Sequence, residues 1–232
     1  MRRHEGLRIV TIGPQLQGGR AMRTVVFDLD GTLADTSGDL IAAANACLRD
    51  LGYGDLLDPA RDQATAVRGA RAMLRLGLER AGALDEAVVD EQYQPLLGYY
   101  DAAICEHTYL YDGAMEAIGA LTAAGYRVAI CTNKPAALAE KLMTALGVRD
   151  AFHALVGADT LTVSKPDAAP FWEAVRLAGG NPQMCLLVGD TVTDHKTAAA
   201  AGVPSVLVQF GPAGEDMAAL APHALLAHFR DL

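Results

Sequence analysis

The chain has 232 residues, of which 51% are hydrophobic, and a formal net charge of -9. This length allows one sizeable domain, or a domain that carries a smaller inserted one. The negative charge argues against a general nucleic-acid or anionic-membrane binder, because such binding needs clustered Lys and Arg; it does not exclude an anionic substrate, since a local metal ion can outweigh the global charge.

The N-terminal segment differs from the rest of the chain. Several arginines precede a stretch of Gly, Gln and Pro at 13–19, and the segment has no apolar block long enough for a secretory signal. We expect residues 1–22 to form a disordered extension outside the fold.

The first strand is predicted at Val25–Phe27, a short apolar run that ends on Asp28 and Asp30. The carboxyl ends of parallel strands are where open α/β sheets bind ligands. Two neighbouring carboxylates repel each other unless they share a proton or a cation neutralises them, and oxygen ligands of this kind suit Mg²⁺. The alternative is an ordinary solvated turn, in which the Asp side chains bond to nearby backbone.

Helical periodicity without a strand signal follows this turn. Helices are predicted over 40–51, 64–80 and 84–107, and glycines separate them. Because this block divides the first strand from all later ones, we expect residues 36–111 to form an inserted helical cap.

From Gly113 onward, helices and apolar strands alternate, which is typical of a parallel sheet covered on both faces. The predicted fold is therefore α/β, with a Rossmann-like parallel-sheet core over 23–35 and 112–232. Its later strands are expected at 127–131, 154–156, 185–188 and 205–208, and its helices at 114–124, 136–146, 168–177 and 194–201.

Polar residues follow these strands. Thr132 and Asn133 come after one strand, Asp190 comes after another, Asp194 opens the next helix, and Lys165 precedes a helix. We expect them to meet Asp28 at one sheet edge. Taken singly, Thr132 could be a turn residue, Lys165 a surface lysine, and Asp194 a helix N-cap paired only with backbone N–H groups. Asp190 is harder to explain in this way, because a carboxylate that ends an apolar strand is costly unless it meets a cation.

Taken together, these motifs resemble those of the haloacid dehalogenase superfamily of phosphotransferases, in order and spacing, from Arg23 to the C-terminus. Neighbouring segments look especially like those of its phosphoglycolate phosphatase group. The superfamily motifs are Asp28-Leu29-Asp30-Gly31-Thr32, Thr132-Asn133, Lys165-Pro166 and Gly189-Asp190-Thr191 with Asp194; the group segments are Thr132-Asn133-Lys134-Pro135, Gly157-Ala158-Asp159-Thr160 and Gly202-Val203-Pro204-Ser205.

The resemblance implies catalytic roles. Asp28 would be the nucleophile that forms an aspartyl-phosphate, and Asp30 would be the general acid and base. Thr132, Asn133 and Lys165 would hold the transferred phosphoryl group.

The resemblance also implies a cofactor, Mg²⁺, held by Asp28, Asp190, Asp194 and the main-chain carbonyl of Asp30. In the cap, Arg68 resembles the substrate-facing loop of capped relatives and could pair with a substrate carboxylate; the alternative is an ordinary surface arginine. A departure from the family pattern is His195, which follows the last motif aspartate and is interpreted as a half-exposed helix residue.

The expected function is magnesium-dependent hydrolysis of 2-phosphoglycolate or a similar small phosphorylated metabolite. Alternatives are a superfamily phosphatase acting on sugar phosphates, nucleotides or pyrophosphate, a phosphomutase, or a non-catalytic binding protein on the same scaffold. We expect a cytoplasmic protein with reduced cysteines, because no Cys-x-x-Cys pair occurs. Cys131 and Cys185 lie in apolar strand-like runs, and we expect both to be buried core residues without a basic neighbour. No nucleic-acid or membrane partner is expected, and a monomer and a homodimer both remain open.

Overall fold

The computed structural model describes residues 22–212 and 216–232. Apart from Met22, the extension predicted for residues 1–22 lies outside the described residues. The strands are β1 (Thr24–Phe27), β2 (Ala34–Asp35), β3 (Tyr109–Leu110), β4 (Arg127–Cys131), β5 (Ala154–Val156), β6 (Cys185–Gly189), β7 (Ser205–Val208) and β8 (Ala224–Leu226). The α-helices are α1 (Ser37–Asp50), α2 (Gln63–Ala66), α3 (Ala70–Arg80), α4 (Glu86–Ala102), α5 (Ala114–Ala123), α6 (Ala136–Ala145), α7 (Ala169–Leu177) and α8 (Val192–Ala201).

The central element is a parallel sheet of six strands in the order β5-β4-β1-β6-β7-β8. Strand β1 lies in the middle, with Phe27 paired to Ile130 of β4 and to Val188 of β6. The α/β fold class predicted from the sequence is confirmed. Edge strand β8 was not predicted, because its three residues are Ala and Leu and include no β-branched or aromatic residue that would indicate a strand.

Alternate residues of β1 face opposite layers of helices. Val25 and Phe27 pack in a cluster with residues of α5 and α6, whereas Val26 packs with residues of α7 and α8. This period of two is that of a strand whose side chains point alternately to the two faces. The sheet is therefore covered on both sides, as its continuous apolar strands predict.

Helices α1, α3 and α4 share a separate apolar cluster, which includes Ile41, Met73 and Leu96. The chain leaves the sheet through β2 and returns through β3, and these two strands pair antiparallel. Neither strand was predicted, because two residues cannot show a period. On this arrangement we propose residues 36–111 as a cap domain inserted between the two core segments, 23–35 and 112–232.

The helix predicted over 64–80 is divided in two. Helices α2 and α3 flank a turn at Val67–Gly69, where Gly69 adopts a φ of +90° that other residues rarely take. The helix predicted over 84–107 is also shorter, since α4 ends at Ala102. In the described ranges, no helix is long and apolar enough to cross a membrane.

Candidate active site

A cavity of about 600 Å³ lies where the carboxyl edge of the sheet faces residues 36–111, which are called the helical segment below. Most of the predicted site residues line it. From the sheet side these are Asp28, Asp30, Thr132, Asn133 and Lys165, and from the helical side Arg68.

Lys165 joins two of the predicted carboxylates. Its Nζ lies 2.9 Å from Asp28 Oδ1 and 2.7 Å from Asp194 Oδ1. The Lys165 side chain is only 2% exposed, so it is not the surface lysine of the alternative interpretation. Burial alone would lower the pKa of the ammonium, but the charges of Asp194 and Asp28 outweigh burial and raise that pKa.

Three carboxylates converge beside this ammonium. One oxygen each from Asp28, Asp190 and Asp194 can be chosen so that all three lie within 4.8 Å of one another. Burial raises the pKa of Asp28 to about 7, although Lys165 opposes the shift. Burial, together with the charges of Asp194 and Asp28, also raises the pKa of Asp190 well above its usual value. When all three carboxylates are ionised, the cluster carries more negative charge than Lys165 alone can balance, and this repulsion favours protonation unless a cation binds.

The donor set fits a hard divalent cation. Asp190 Oδ1 accepts a hydrogen bond from Thr32 Oγ1 at 2.8 Å, but its buried Oδ2 has no hydrogen-bond partner among the described residues. A buried oxygen without a partner is costly unless a ligand satisfies it. Clustered carboxylate oxygens are the ligands that Mg²⁺ and Ca²⁺ prefer.

The glycine of the first motif makes room for this cluster. Gly31 has a φ of +83°, and a Cβ added there would lie 2.2 Å from Asp190 Oδ2. Residue 31 must therefore lack a side chain for the Asp190 carboxylate to keep its position. Gly31 belongs to the first sequence motif, but this role of the glycine was not predicted.

Asp194 is held by the first turn of α8. Its Oδ2 accepts hydrogen bonds from Thr191 N at 3.1 Å and from Thr191 Oγ1 at 2.6 Å. Thr191 Oγ1 in turn accepts from Asp194 N at 3.4 Å, and this bond together with the one from Thr191 N forms a capping box. The N-cap residue is Thr191, and Asp194 Oδ1 bonds to Lys165. The alternative of an N-cap paired only with backbone N–H groups is therefore wrong for Asp194.

The side chain of Asn133 fixes the backbone of Lys165. Asn133 Oδ1 accepts from Lys165 N at 3.1 Å, and its Nδ2 donates to Lys165 O at 3.0 Å. The buried Thr132 hydroxyl accepts from Lys134 N at 3.1 Å, so Thr132 stabilises the turn and also lines the cavity.

Lys134 is a cavity residue for which the sequence predicted no role. Its Nζ donates to Asp30 Oδ1 at 2.7 Å and lies 4.4 Å from the ring centroid of Tyr100 in α4. Thr36 Oγ1 donates to the same Asp30 oxygen at 2.6 Å. Burial alone would lower the pKa of Lys134, but Asp30 and Tyr100, through their charges and hydrogen bonding, together raise it further than burial lowers it. The sequence did indicate that Lys134 could belong to the site, because it directly follows Thr132-Asn133 and so lies at the carboxyl edge of the sheet.

Three further predictions concern single residues. Arg68 lies in the turn between α2 and α3 and lines the cavity. His195 is half-buried, as interpreted, with Nδ1 3.0 Å from Ser205 Oγ. The expectation that Cys131 has no basic neighbour is wrong, since the charge of Lys165 acts on it; burial dominates and raises the pKa of the Cys131 thiol to about 12.

Comparison with known proteins gives concordant results. The family model of haloacid dehalogenase-like hydrolases matches residues 22–202. The chain is 39% identical to the phosphoglycolate phosphatase of Mesorhizobium japonicum, over 88% of this chain and 90% of that protein. It is 36% identical to the phosphoglycolate phosphatase of Caulobacter vibrioides, over 90% of this chain and 88% of that protein.

Solved structures agree on the fold. A crystal structure from Haemophilus somnus, described as a predicted phosphoglycolate phosphatase, superposes with a TM-score of 0.80 at 28% identity and covers 92% of this chain and 97% of that one. A haloacid dehalogenase-like hydrolase structure from Bacteroides fragilis gives a TM-score of 0.75 at 22% identity, over 89% of this chain and 97% of that one. At that lower identity, only the shared fold is established.

Proposed function

The chain belongs to the haloacid dehalogenase-like hydrolases, and within this family we propose that it is a magnesium-dependent phosphatase acting on 2-phosphoglycolate or a similar small phosphorylated metabolite. The observation that carries this proposal is the end of β1, where Asp28 lies against Lys165 in a buried carboxylate cluster. The phosphoglycolate phosphatases among its relatives support both the activity and the substrate class.

We propose Asp28 as the nucleophile. One of its carboxylate oxygens attacks phosphorus, the bond from phosphorus to the leaving alcohol breaks, and an aspartyl-phosphate forms. The Lys165 ammonium, 2.9 Å from Asp28 Oδ1, is placed to orient the nucleophile and to neutralise the phosphoryl oxygens. Thr132 and Asn133 complete the proposed phosphoryl site from the turn after β4.

We propose Asp30 as the general acid and base. In the first step it gives a proton to the leaving alkoxide. In the second step it takes a proton from water as the water oxygen attacks the aspartyl-phosphate, which releases phosphate and restores the Asp28 carboxylate. Hydrogen bonds from Thr36 and Lys134 to Asp30 Oδ1 fix the position of this side chain.

The proposed cofactor is Mg²⁺, and Asp28, Asp190, Asp194 and the main-chain carbonyl of Asp30 would hold it. When bound, the cation supplies positive charge against the nucleophile and the phosphoryl oxygens. The buried, unpartnered Oδ2 of Asp190 supports this assignment.

Substrate, partners and location complete the proposal. The Arg68 guanidinium is suited to a carboxylate on the leaving group, because its donors match a carboxylate in pairs. The partner is a small phosphorylated metabolite rather than a nucleic acid or a membrane, and the protein acts as a monomer or homodimer. The four cysteines are free thiols, which supports a reducing, cytoplasmic location.

The test is the initial rate of phosphate release from a panel of phosphoesters with Mg²⁺ and with a chelator. The panel includes 2-phosphoglycolate, sugar phosphates, nucleotides and pyrophosphate. A magnesium-dependent preference for 2-phosphoglycolate supports the proposal in full, whereas a preference for another ester overturns the substrate. If neither the wild type nor an Asp28→Asn variant releases phosphate from any ester, the result favours a phosphomutase or a binding protein.

A further inference from the structure

The hydroxyl of Tyr100 is a buried polar group whose hydrogen bonding is not satisfied by normal geometry. Tyr100 is 2% exposed and lines the cavity from α4, and its Oη makes no hydrogen bond of normal geometry to any described residue, although the nearby Lys134 ammonium opposes the effect of burial on the Tyr100 pKa. A buried hydroxyl left in this state costs free energy that a bound ligand could recover.

The Lys134 ammonium lies against the same ring. Its Nζ is 4.4 Å from the Tyr100 ring centroid, and its side chain is 9% exposed. The Asp30 carboxylate accepts from the ammonium, which has three N–H donors in all. The Lys134 and Tyr100 side chains thus border one region of the cavity, and each carries a donor for an anionic oxygen.

This region lies on the leaving-group side of the proposed site. Under the proposed function, Asp30 gives its proton to the bridging oxygen of the leaving alcohol, so that alcohol must lie beside Asp30. Lys134 Nζ is 2.7 Å from Asp30 Oδ1 and is therefore beside the alcohol as well. In 2-phosphoglycolate a single carbon separates the bridging oxygen from the carboxylate, which brings the carboxylate within reach of both donors.

We propose that Tyr100 Oη and Lys134 Nζ form a specificity subsite that binds a carboxylate on the leaving group. This inference rests on the proposed function and deepens it. Arg68 can act in the same recognition, since a carboxylate has about four lone-pair sites for donors. The subsite joins the core to the helical segment, because Lys134 follows β4 and Tyr100 belongs to α4.

The experiment compares 2-phosphoglycolate with ethyl phosphate, which has a methyl group in place of the carboxylate. The quantity measured is the ratio of kcat/KM for the two esters. We expect Tyr100→Phe to lower this ratio about tenfold or more, as loss of a hydrogen bond to a charged group predicts. Because the hydroxyl makes no hydrogen bond of normal geometry to the described residues, the same substitution should leave the melting temperature unchanged or raise it, which a structural role for Tyr100 would not do.

The matched control is Tyr99→Phe. Tyr99 is the adjacent residue of α4, is 38% exposed, and donates its hydroxyl to Asp50. Removal of the Tyr99 hydroxyl should not change the ratio of kcat/KM for the two esters. Lys134→Gln provides a second variant: it should lower the ratio as well, and it should weaken inhibition by glycolate more than inhibition by inorganic phosphate.

Two results would overturn the subsite, and they are distinguishable. If the wild type prefers 2-phosphoglycolate and both Tyr100→Phe and Lys134→Gln keep that preference, the proposed function stands and the subsite is wrong. If the wild type hydrolyses both esters equally well, the proposed substrate is itself wrong and the subsite fails with it.

Discussion

Lys165 Nζ donates to Asp194 Oδ1 over 2.7 Å, and the two side chains are only 2% and 0% exposed. The pair joins a residue before α7 to the first turn of α8, and the same ammonium reaches Asp28 at the end of β1. The countercharge of the carboxylate cluster is therefore built into the packing between the sheet and its helices.

The first prediction is that Lys165→Met destabilises the protein and impairs turnover. Removing one partner of a buried ion pair costs about 3–5 kcal/mol, and losing one group that stabilises transition-state charge lowers kcat about 10²–10³-fold. Urea unfolding with a chelator present and phosphate-release rates measure the two effects. The control is Lys141→Met, whose ion pair with Asp101 is 48% and 50% exposed and should be worth less than about 1 kcal/mol. Equal stability of the two variants would contradict the prediction.

The sheet and its strand-end residues could be predicted from the sequence because both depend on local patterns. The apolar run at 127–131 and the polar residues Thr132 and Asn133 after it are adjacent in the chain, and parallel pairing then brings distant strand ends together. Strands β2 and β3 could not be predicted, since two residues have no period.

The contact between Lys134 and Tyr100 could not be predicted from the sequence, for a different reason. It joins the turn after β4 to α4, and it depends on how the helical segment packs over the sheet. The role of Gly31 was hidden in the same way, because the atom that a Cβ would strike belongs to Asp190. The features that could not be predicted are therefore mainly tertiary contacts between residues far apart in the sequence.

The second prediction concerns Arg68. If its guanidinium pairs with a substrate carboxylate, Arg68→Ala should raise KM for carboxylated phosphoesters about tenfold or more and have a much smaller effect on ethyl phosphate. Arg71→Ala is the comparison, since Arg71 also lines the cavity and its guanidinium pairs with Asp90 and stacks on Tyr93, so its loss should not discriminate between the esters. If Arg68→Ala changes KM equally for all esters, or does not change it, Arg68 does not bind the substrate carboxylate.

The third prediction is that Mg²⁺ stabilises the protein more at high pH than at low pH. Burial raises the pKa of Asp28 from 3.8 in its ordinary state to about 7. A carboxyl group whose pKa rises on folding holds its proton more tightly when folded, so the metal-free protein loses stability as pH increases between these two values. A bound cation favours the ionised carboxylates and releases that proton.

The measurement is the increase in Tm on adding Mg²⁺, relative to a chelator, at about pH 5.5 and about pH 8. We expect the larger increase at the higher pH. In Asp190→Asn, which loses a carboxylate of the cluster, the increase should shrink at both values. An increase that is the same at both pH values in the wild type would contradict the assignment of Asp28 to the metal site.

The fourth prediction compares two glycines with the same positive φ, of which only Gly31 lies too close to another side chain to accept a Cβ. Gly31 and Gly52 share a φ of +83°, but a Cβ at residue 31 would lie 2.2 Å from Asp190 Oδ2, whereas a Cβ at residue 52 would have no atom within 4 Å. Both Gly→Ala substitutions should therefore incur a similar backbone cost of about 1–2 kcal/mol. Gly31→Ala must also displace the Asp190 carboxylate, so it should lose the stabilisation by Mg²⁺ and nearly all turnover, while Gly52→Ala keeps both. Thermal melting with and without Mg²⁺ provides the comparison, and retention of the Mg²⁺ effect in Gly31→Ala would show that Asp190 does not hold the cation.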